Sequence, residues 1–130
     1  MNYLCIKNSI VYLDDKVIDK TFKNYINDLS YPHFKSLDSI RNSTKKLFNI
    51  KRNIPLYISE NTLLFPIIAF QAKYYINYYE VFKISYNKNI LAITFKSGET
   101  LNLEITYSKY KTLKDNMSKI LSYLWFLGGQ

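Results

Sequence analysis

The chain has 130 residues, a formal net charge of +8 and a hydrophobic content of 48%. This apolar content is too high for an intrinsically disordered protein, and the length fits one domain, which we expect to span residues 1–130. The single cysteine, Cys5, excludes an internal disulfide, and the single histidine, His33, leaves no recognisable metal-ligand spacing. We therefore expect a folded protein without a metal ion or a cofactor.

The amino terminus carries no signal-peptide pattern, because the apolar run of residues 1–6 is too short. The most apolar stretch, residues 120–127, is also much shorter than the roughly 20 residues that a membrane span needs. These two features predict a soluble, cytoplasmic protein with no membrane span.

β-Forming residues at positions 3–6 and 10–13 flank a short polar turn, and this pattern predicts an N-terminal hairpin. Asp14 and Asp15 follow as candidate helix N-caps. Apolar residues then recur at helical spacing, which predicts a first helix over residues 15–29.

A second helix is predicted over residues 34–49, because apolar side chains and one threonine form a single stripe that would face a sheet. The stripe consists of Leu37, Ile40, Thr44, Leu47 and Phe48. Basic residues lie on another face of this helix and just after its end: Arg41, Lys45, Lys46, Lys51 and Arg52. This arrangement could present several cations to phosphates or to a groove.

The location of these cations is more informative than the total charge, since lysine and tyrosine both have A/T-rich codons and are inflated in an A/T-rich genome. No acidic residue lies between Ser39 and Ser59, and both arginines of the protein fall in this window. Clustered guanidinium groups favour a functional basic patch. The alternative is a solvated helix face whose lysines suit the negative carboxyl end of the helix.

Residues 54–67, with the sequence IPLYISENTLLFPI, predict a tight hairpin with a proline at each outer end. Two short apolar runs surround the turn formers of residues 59–62. Pro55 and Pro66 cannot donate a backbone hydrogen bond, so each belongs at a strand start, an edge or a bulge.

Three further strands are predicted over residues 74–86, 90–95 and 100–105, joined by short turns. A final helix follows over residues 108–127, with Gly128-Gly129 as its C-cap. We therefore expect an α+β fold: a curved antiparallel sheet of about five to seven strands, built as a meander with hairpins, two helices in the N-terminal half and a C-terminal helix.

The final helix carries two candidate surfaces. Trp125 and Phe126 extend its apolar surface beyond one stripe and mark a candidate dimer contact. Its lysines are interpreted as the solvent-facing side, with a second phosphate-contacting patch as the alternative: Lys109, Lys111, Lys114 and Lys119.

The proline hairpin resembles the "PIlIs…lyfFPt" centre of the ComK-type competence transcription factors of low-G+C bacteria. Upstream, residues 39–50 resemble the "GRK…tk.llnI" helix of that family, and residues 94–101 resemble its "vtF.nGk.l.l" hairpin. The resemblance covers roughly residues 35–120 and keeps the order of the elements. The chain is similar to a short member of this family.

The resemblance implies a sequence-selective regulator that binds A/T-rich double-stranded DNA through the minor groove, as a homodimer that pairs with a second dimer on DNA, and that controls DNA-uptake genes. Arg41 falls on the arginine of the family, whereas Arg52 matches no family position, and Lys73 is the one basic residue left of those expected after Phe65-Pro66. Other positions depart from the family pattern: Ile40 replaces a glycine, Ile67 a threonine, and Tyr74-Tyr75 stand where Cys-x-Trp is usual.

Two other functions fit the same sequence. A curled meander closed by a C-terminal helix is also typical of pleckstrin-homology-like modules, whose basic patches bind anionic lipids or partners. A degenerate family member could act only as a partner protein. Enzymatic activity is not expected, and we assign no catalytic residue, because the chain has no glycine-rich phosphate loop, carboxylate dyad or Ser/His/Asp set.

Overall fold

The computed structural model describes residues 1–128 and has an α+β architecture. Within these residues the helices are α1 (Phe22–Ser30), α2 (Leu37–Phe48) and α3 (Tyr107–Gly128). The strands are β1 (Tyr3–Lys7), β2 (Ile10–Leu13), β3 (Lys16–Val17), β4 (Leu56–Ser59), β5 (Thr62–Ala69), β6 (Ala72–Asn77), β7 (Val81–Asn87), β8 (Ile90–Phe95) and β9 (Thr100–Glu104). The predicted fold class is confirmed, including two helices in the N-terminal half and one at the C-terminal end.

The strands form two antiparallel sheets. A six-stranded sheet has the order β3-β2-β1-β6-β5-β4, and a three-stranded meander has the order β7-β8-β9. β4 is thus an edge strand, whereas β5 and β6 are central.

Side chains of the six-stranded sheet alternate between two cores, one on each face. On one face, sheet residues pack against α1 and α2 through Leu4, Leu56, Leu64, Tyr75, Ile26, Leu37 and Ile40. On the other face, sheet residues pack against the small sheet and α3 through Leu63, Phe65, Ile67, Ile76, Leu91, Ile93, Leu103, Leu113 and Ile120. The large sheet is therefore the middle layer, with helices α1 and α2 on one side and α3 on the other.

The predicted start of the first helix is wrong. Asp14 and Asp15 form a turn with left-handed φ angles of 47° and 71°, and α1 begins only after the N-cap Thr21. The Asp14 carboxylate accepts hydrogen bonds from the backbone N–H groups of Asn2 at 2.8 Å and Tyr3 at 3.0 Å. Asp14 therefore closes the start of β1 rather than capping a helix.

The predicted strand over residues 74–86 is also wrong, because a 3₁₀ turn at Tyr78–Glu80 divides it into β6 and β7. Asn77 is buried at this break. Its Oδ1 accepts from the backbone N–H of Leu63 at 3.2 Å, and its Nδ2 donates to the carbonyl of Met1 at 3.0 Å. The side chain thus satisfies backbone groups at the end of the large sheet, where the chain turns to begin the small one.

The proline hairpin is confirmed, with β4 and β5 joined at Glu60-Asn61. Pro55 directly precedes β4, as expected, whereas Pro66 lies inside the eight-residue β5 rather than at its end. The pairing of β4 with β5 stops at Leu64, so no residue of β4 lies opposite Pro66. A missing N–H is tolerated there because that side of β5 no longer needs a donor for β4.

The other two helices follow their sequence patterns closely. In α2 the stripe residues Leu37, Ile40 and Thr44 are buried, but Leu47 is 57% exposed, so the predicted stripe is one residue too wide. Gly128 is the last residue of α3, and Gly129 of the predicted C-cap lies outside the described residues.

Candidate nucleic-acid interface

The orientation of α2 is fixed at its start by a capping box and along its length by its buried stripe. The Ser36 hydroxyl accepts from the N–H of Ser39 at 3.2 Å, and the Ser39 hydroxyl accepts from the N–H of Ser36 at 2.9 Å. With the stripe held against β4, Arg41 lies half-buried beside it, and Lys45 and Lys46 are exposed in the last turn.

The helix ends at Asn49, whose left-handed backbone has a φ of 54° and whose N–H donates to the carbonyl of Lys45 at 2.9 Å. Ile50 is then buried in the core shared with the small sheet and α3. Lys51 and Arg52 follow and are exposed. The buried Ile50 therefore holds two exposed cations close to the carboxyl end of α2.

We call Arg41, Lys45, Lys46, Lys51 and Arg52 the cationic end of α2. Within residues 1–128, ion pairs shorter than or equal to 4.0 Å join Lys20 to Asp28 and Lys23 to Asp38, and none involves the cationic end. These five charges are consequently free of carboxylate partners in the described part of the chain, and a phosphate would not have to displace one. Lys45 and Lys46 also lie where the helix dipole favours positive charge, so part of their role is structural.

Lys73, the remaining predicted DNA-binding residue, lies elsewhere. It belongs to the central strand β6, paired with Ile6 and Ile68, and its Nζ lies 5.3 Å from the ring centroid of Tyr75. The sheet strand that α2 contacts is β4, two positions away in the sheet order. The structure thus separates Lys73 from the cationic end of α2.

A groove that the sequence does not reveal lies beside the cationic end. We call it the polar groove after the polar side chains that Asn53 and α3 add to its otherwise apolar lining; it has a volume of about 190 Å³. One side is formed by Asn53, Pro55, Phe65, Pro66, Ile67 and Ile68, and the other by Ser108, Lys109, Thr112, Leu113 and Asn116 of α3. Asn53 directly follows Arg52, so the cationic end runs into this groove. The groove joins segments that lie 40 or more positions apart along the chain, which is why only the structure identifies it.

A second, apolar groove lies between α2, β4 and α3 and has a volume of about 160 Å³. Lys35 stands at its rim, donating to the carbonyls of Tyr57 at 3.5 Å and Ile58 at 3.2 Å, and burial lowers the pKa of its ammonium group. Beyond the groove, at the end of α3, Trp125 is 80% exposed and Phe126 is 59% exposed. The two predicted dimer-contact residues are therefore available at the surface.

Comparisons with known proteins identify no relative: no protein-family model matches the chain, and neither a curated protein nor a solved structure shows significant similarity to it. Within the described residues, no helix has both the length and the apolar character required to cross a membrane.

Proposed function

We propose that the protein is a sequence-selective regulator that binds double-stranded DNA. The observation that carries this proposal is the cationic end of α2, where five basic residues between positions 41 and 52 have no carboxylate partner in the described structure. Cations of this kind neutralise phosphates and release condensed counterions, which gives strong and salt-dependent affinity. The backbone of this surface is fixed by the capping box and by buried Ile50, so little backbone conformational entropy is lost on binding.

The resemblance to ComK-type regulators supports the finer part of the proposal. It favours A/T-tract recognition through the minor groove, control of DNA-uptake genes and a cytoplasmic location. Narrow A-tract grooves concentrate negative potential and favour inserted arginine, which makes Arg41 and Arg52 the candidate groove residues. Lys45, Lys46 and Lys51 would then contact phosphates. Lys73, on its separate strand, would contact the DNA only when the duplex is long enough to reach it.

We also propose that the active form is a homodimer, with Trp125 and Phe126 in the contact. Both aromatic side chains are largely exposed, and the helix end that carries them, residues 120–128, contains no charged residue. A second copy could approach this end without the repulsion expected between proteins of net charge +8. Dimers could then pair on two adjacent A-tracts.

An electrophoretic titration tests the proposal against its alternatives. Purified protein is titrated against an A-tract duplex and against a G/C-rich duplex of equal length. In a separate assay, it is mixed with phosphoinositide vesicles, and flotation measures how much protein the vesicles bind. We expect the A-tract duplex to bind most tightly. Binding to vesicles but to neither duplex would support the lipid-binding module instead, and binding to none of the three would support a protein that acts only through a partner.

A further inference from the structure

The polar groove brings the residue that follows the cationic end of α2 next to the first three turns of α3. Asn53, which follows Arg52, forms one side of the groove. Ser108, Thr112 and Asn116 form the other side, and their spacing of four residues places them on one flank of the helix. Lys119 continues this flank by helical spacing and is exposed.

The chemistry of the groove suits a phosphodiester. Amide and hydroxyl groups of Asn53, Ser108, Thr112 and Asn116 can donate hydrogen bonds, and no carboxylate of the described residues lines the groove. Asp115 is the nearest acidic residue along α3; it is three residues from Thr112 and four from Lys119, so it lies close to the same flank, but it does not line the groove. Within residues 1–128 the lining itself therefore offers neutral donors and one positive charge, and the Asp115 carboxylate stays outside it.

One cation of the groove is already held in position. The Lys109 Nζ donates to the carbonyl of Ile68 at 3.3 Å, which fixes the ammonium group at the groove wall and leaves its other two protons free. The backbone N–H of Lys109 also donates to the Thr106 hydroxyl at 3.3 Å, at the start of α3. Because the side chain is anchored, less conformational entropy is lost when it contacts a phosphate.

We propose that the polar groove binds a backbone phosphate of the same duplex that contacts the cationic end of α2. The site adds Lys109, Asn53, Thr112 and Asn116 to the interface and makes α3 its second wall. The proposal rests on the proposed DNA-binding function. It changes the expected footprint, because the duplex would then lie across the gap between α2 and α3 rather than along α2 alone.

Matched lysine variants test it. Lys109→Gln removes a groove charge, whereas Lys114→Gln removes a charge from the other flank of the same helix, where its Nζ lies 5.6 Å from the ring centroid of Tyr110. We expect Lys109→Gln to reduce the slope of log affinity against log salt by about 0.9. The affinity of the original protein divided by that of the variant should therefore fall about 3.5-fold between 50 and 200 mM salt. Lys114→Gln should leave the slope unchanged. Equal slopes for the two variants would overturn the proposal.

A second pair of variants guards against a folding artefact. Thr112→Glu places a carboxylate in the groove, and Ser118→Glu places one elsewhere on α3; both positions are exposed, so both variants should keep the original circular dichroism spectrum and Tm. Only Thr112→Glu should weaken DNA binding by tenfold or more. Equal losses of DNA affinity in the two variants would refute the groove as a phosphate site but not the proposed DNA-binding function. Failure of the original protein to bind any duplex would refute both.

Discussion

Replacing Arg41 and Arg52 together by glutamine removes the two guanidinium groups of the protein while keeping part of each side-chain stem. Arg52 is exposed, Arg41 is half-buried, and neither forms an ion pair within residues 1–128. We therefore expect the free energy of unfolding to fall by less than about 1 kcal/mol. The effect on DNA binding should be much larger, because both charges would face the duplex.

The magnitude follows from counterion release. If each arginine neutralises one phosphate, the double variant loses about 1.8 from the log–log salt slope. Between 50 and 200 mM salt, the affinity of the original protein divided by that of the double variant should therefore fall roughly 12-fold. Fluorescence anisotropy with a labelled A-tract duplex at four salt concentrations measures the slope directly.

Two further variants make the result specific. Lys16→Gln with Lys88→Gln removes the same charge from exposed positions outside the proposed interface and should leave the slope nearly unchanged. Arg41→Lys with Arg52→Lys keeps the charge but loses the planar guanidinium, so it should keep the slope and lose preference for the A-tract. Unchanged affinity, slope and preference in the double glutamine variant would refute the cationic end of α2 as the DNA contact. Displacement of the protein by a major-groove ligand but not by distamycin would refute minor-groove reading.

Three predictions concern stability. Leu103→Ala should lower the free energy of unfolding by about 2–5 kcal/mol in urea titration, because Leu103 is fully buried and its removal leaves a cavity; a loss below about 1 kcal/mol would contradict the packing described. Asn77→Ala should cost about 1–3 kcal/mol, since it leaves the N–H of Leu63 and the carbonyl of Met1 without partners, whereas a neutral effect would mean that water replaces the amide. Burial raises the pKa of Tyr74 from 10.0 to about 12, so the neutral phenol stabilises the fold below about pH 10 and that contribution is lost as pH rises towards 12. Tyr74→Phe should therefore move the alkaline unfolding midpoint, followed by circular dichroism, to higher pH; an unchanged midpoint would show that other groups control it.

Local patterns in the sequence predict the elements that depend on local chemistry. The stripe of α2 and the turn at Glu60-Asn61 predict a helix and a hairpin that the structure confirms. Errors occur where a polar side chain bonds to a distant backbone segment. Aspartate is a residue type typical of helix N-caps, yet the Asp14 carboxylate accepts hydrogen bonds from the N–H groups of Asn2 and Tyr3. Periodicity cannot distinguish these uses, because both need only a short acceptor next to a turn.

The same limit applies to the candidate interface. The acid-free window around Arg41 and Arg52 is visible in the sequence, because charge along a chain requires no knowledge of folding. Lys109 has no such local signal: along α3 it is one of several exposed lysines at helical spacing, and its anchoring partner, Ile68, is 41 positions away. What distinguishes it is that Pro66 and Ile67 continue β5 past the end of β4, and this leaves space into which Asn53 and α3 both project. The groove thus lies where β5 extends beyond its shorter neighbour β4, a difference in strand length that helical or strand periodicity does not predict.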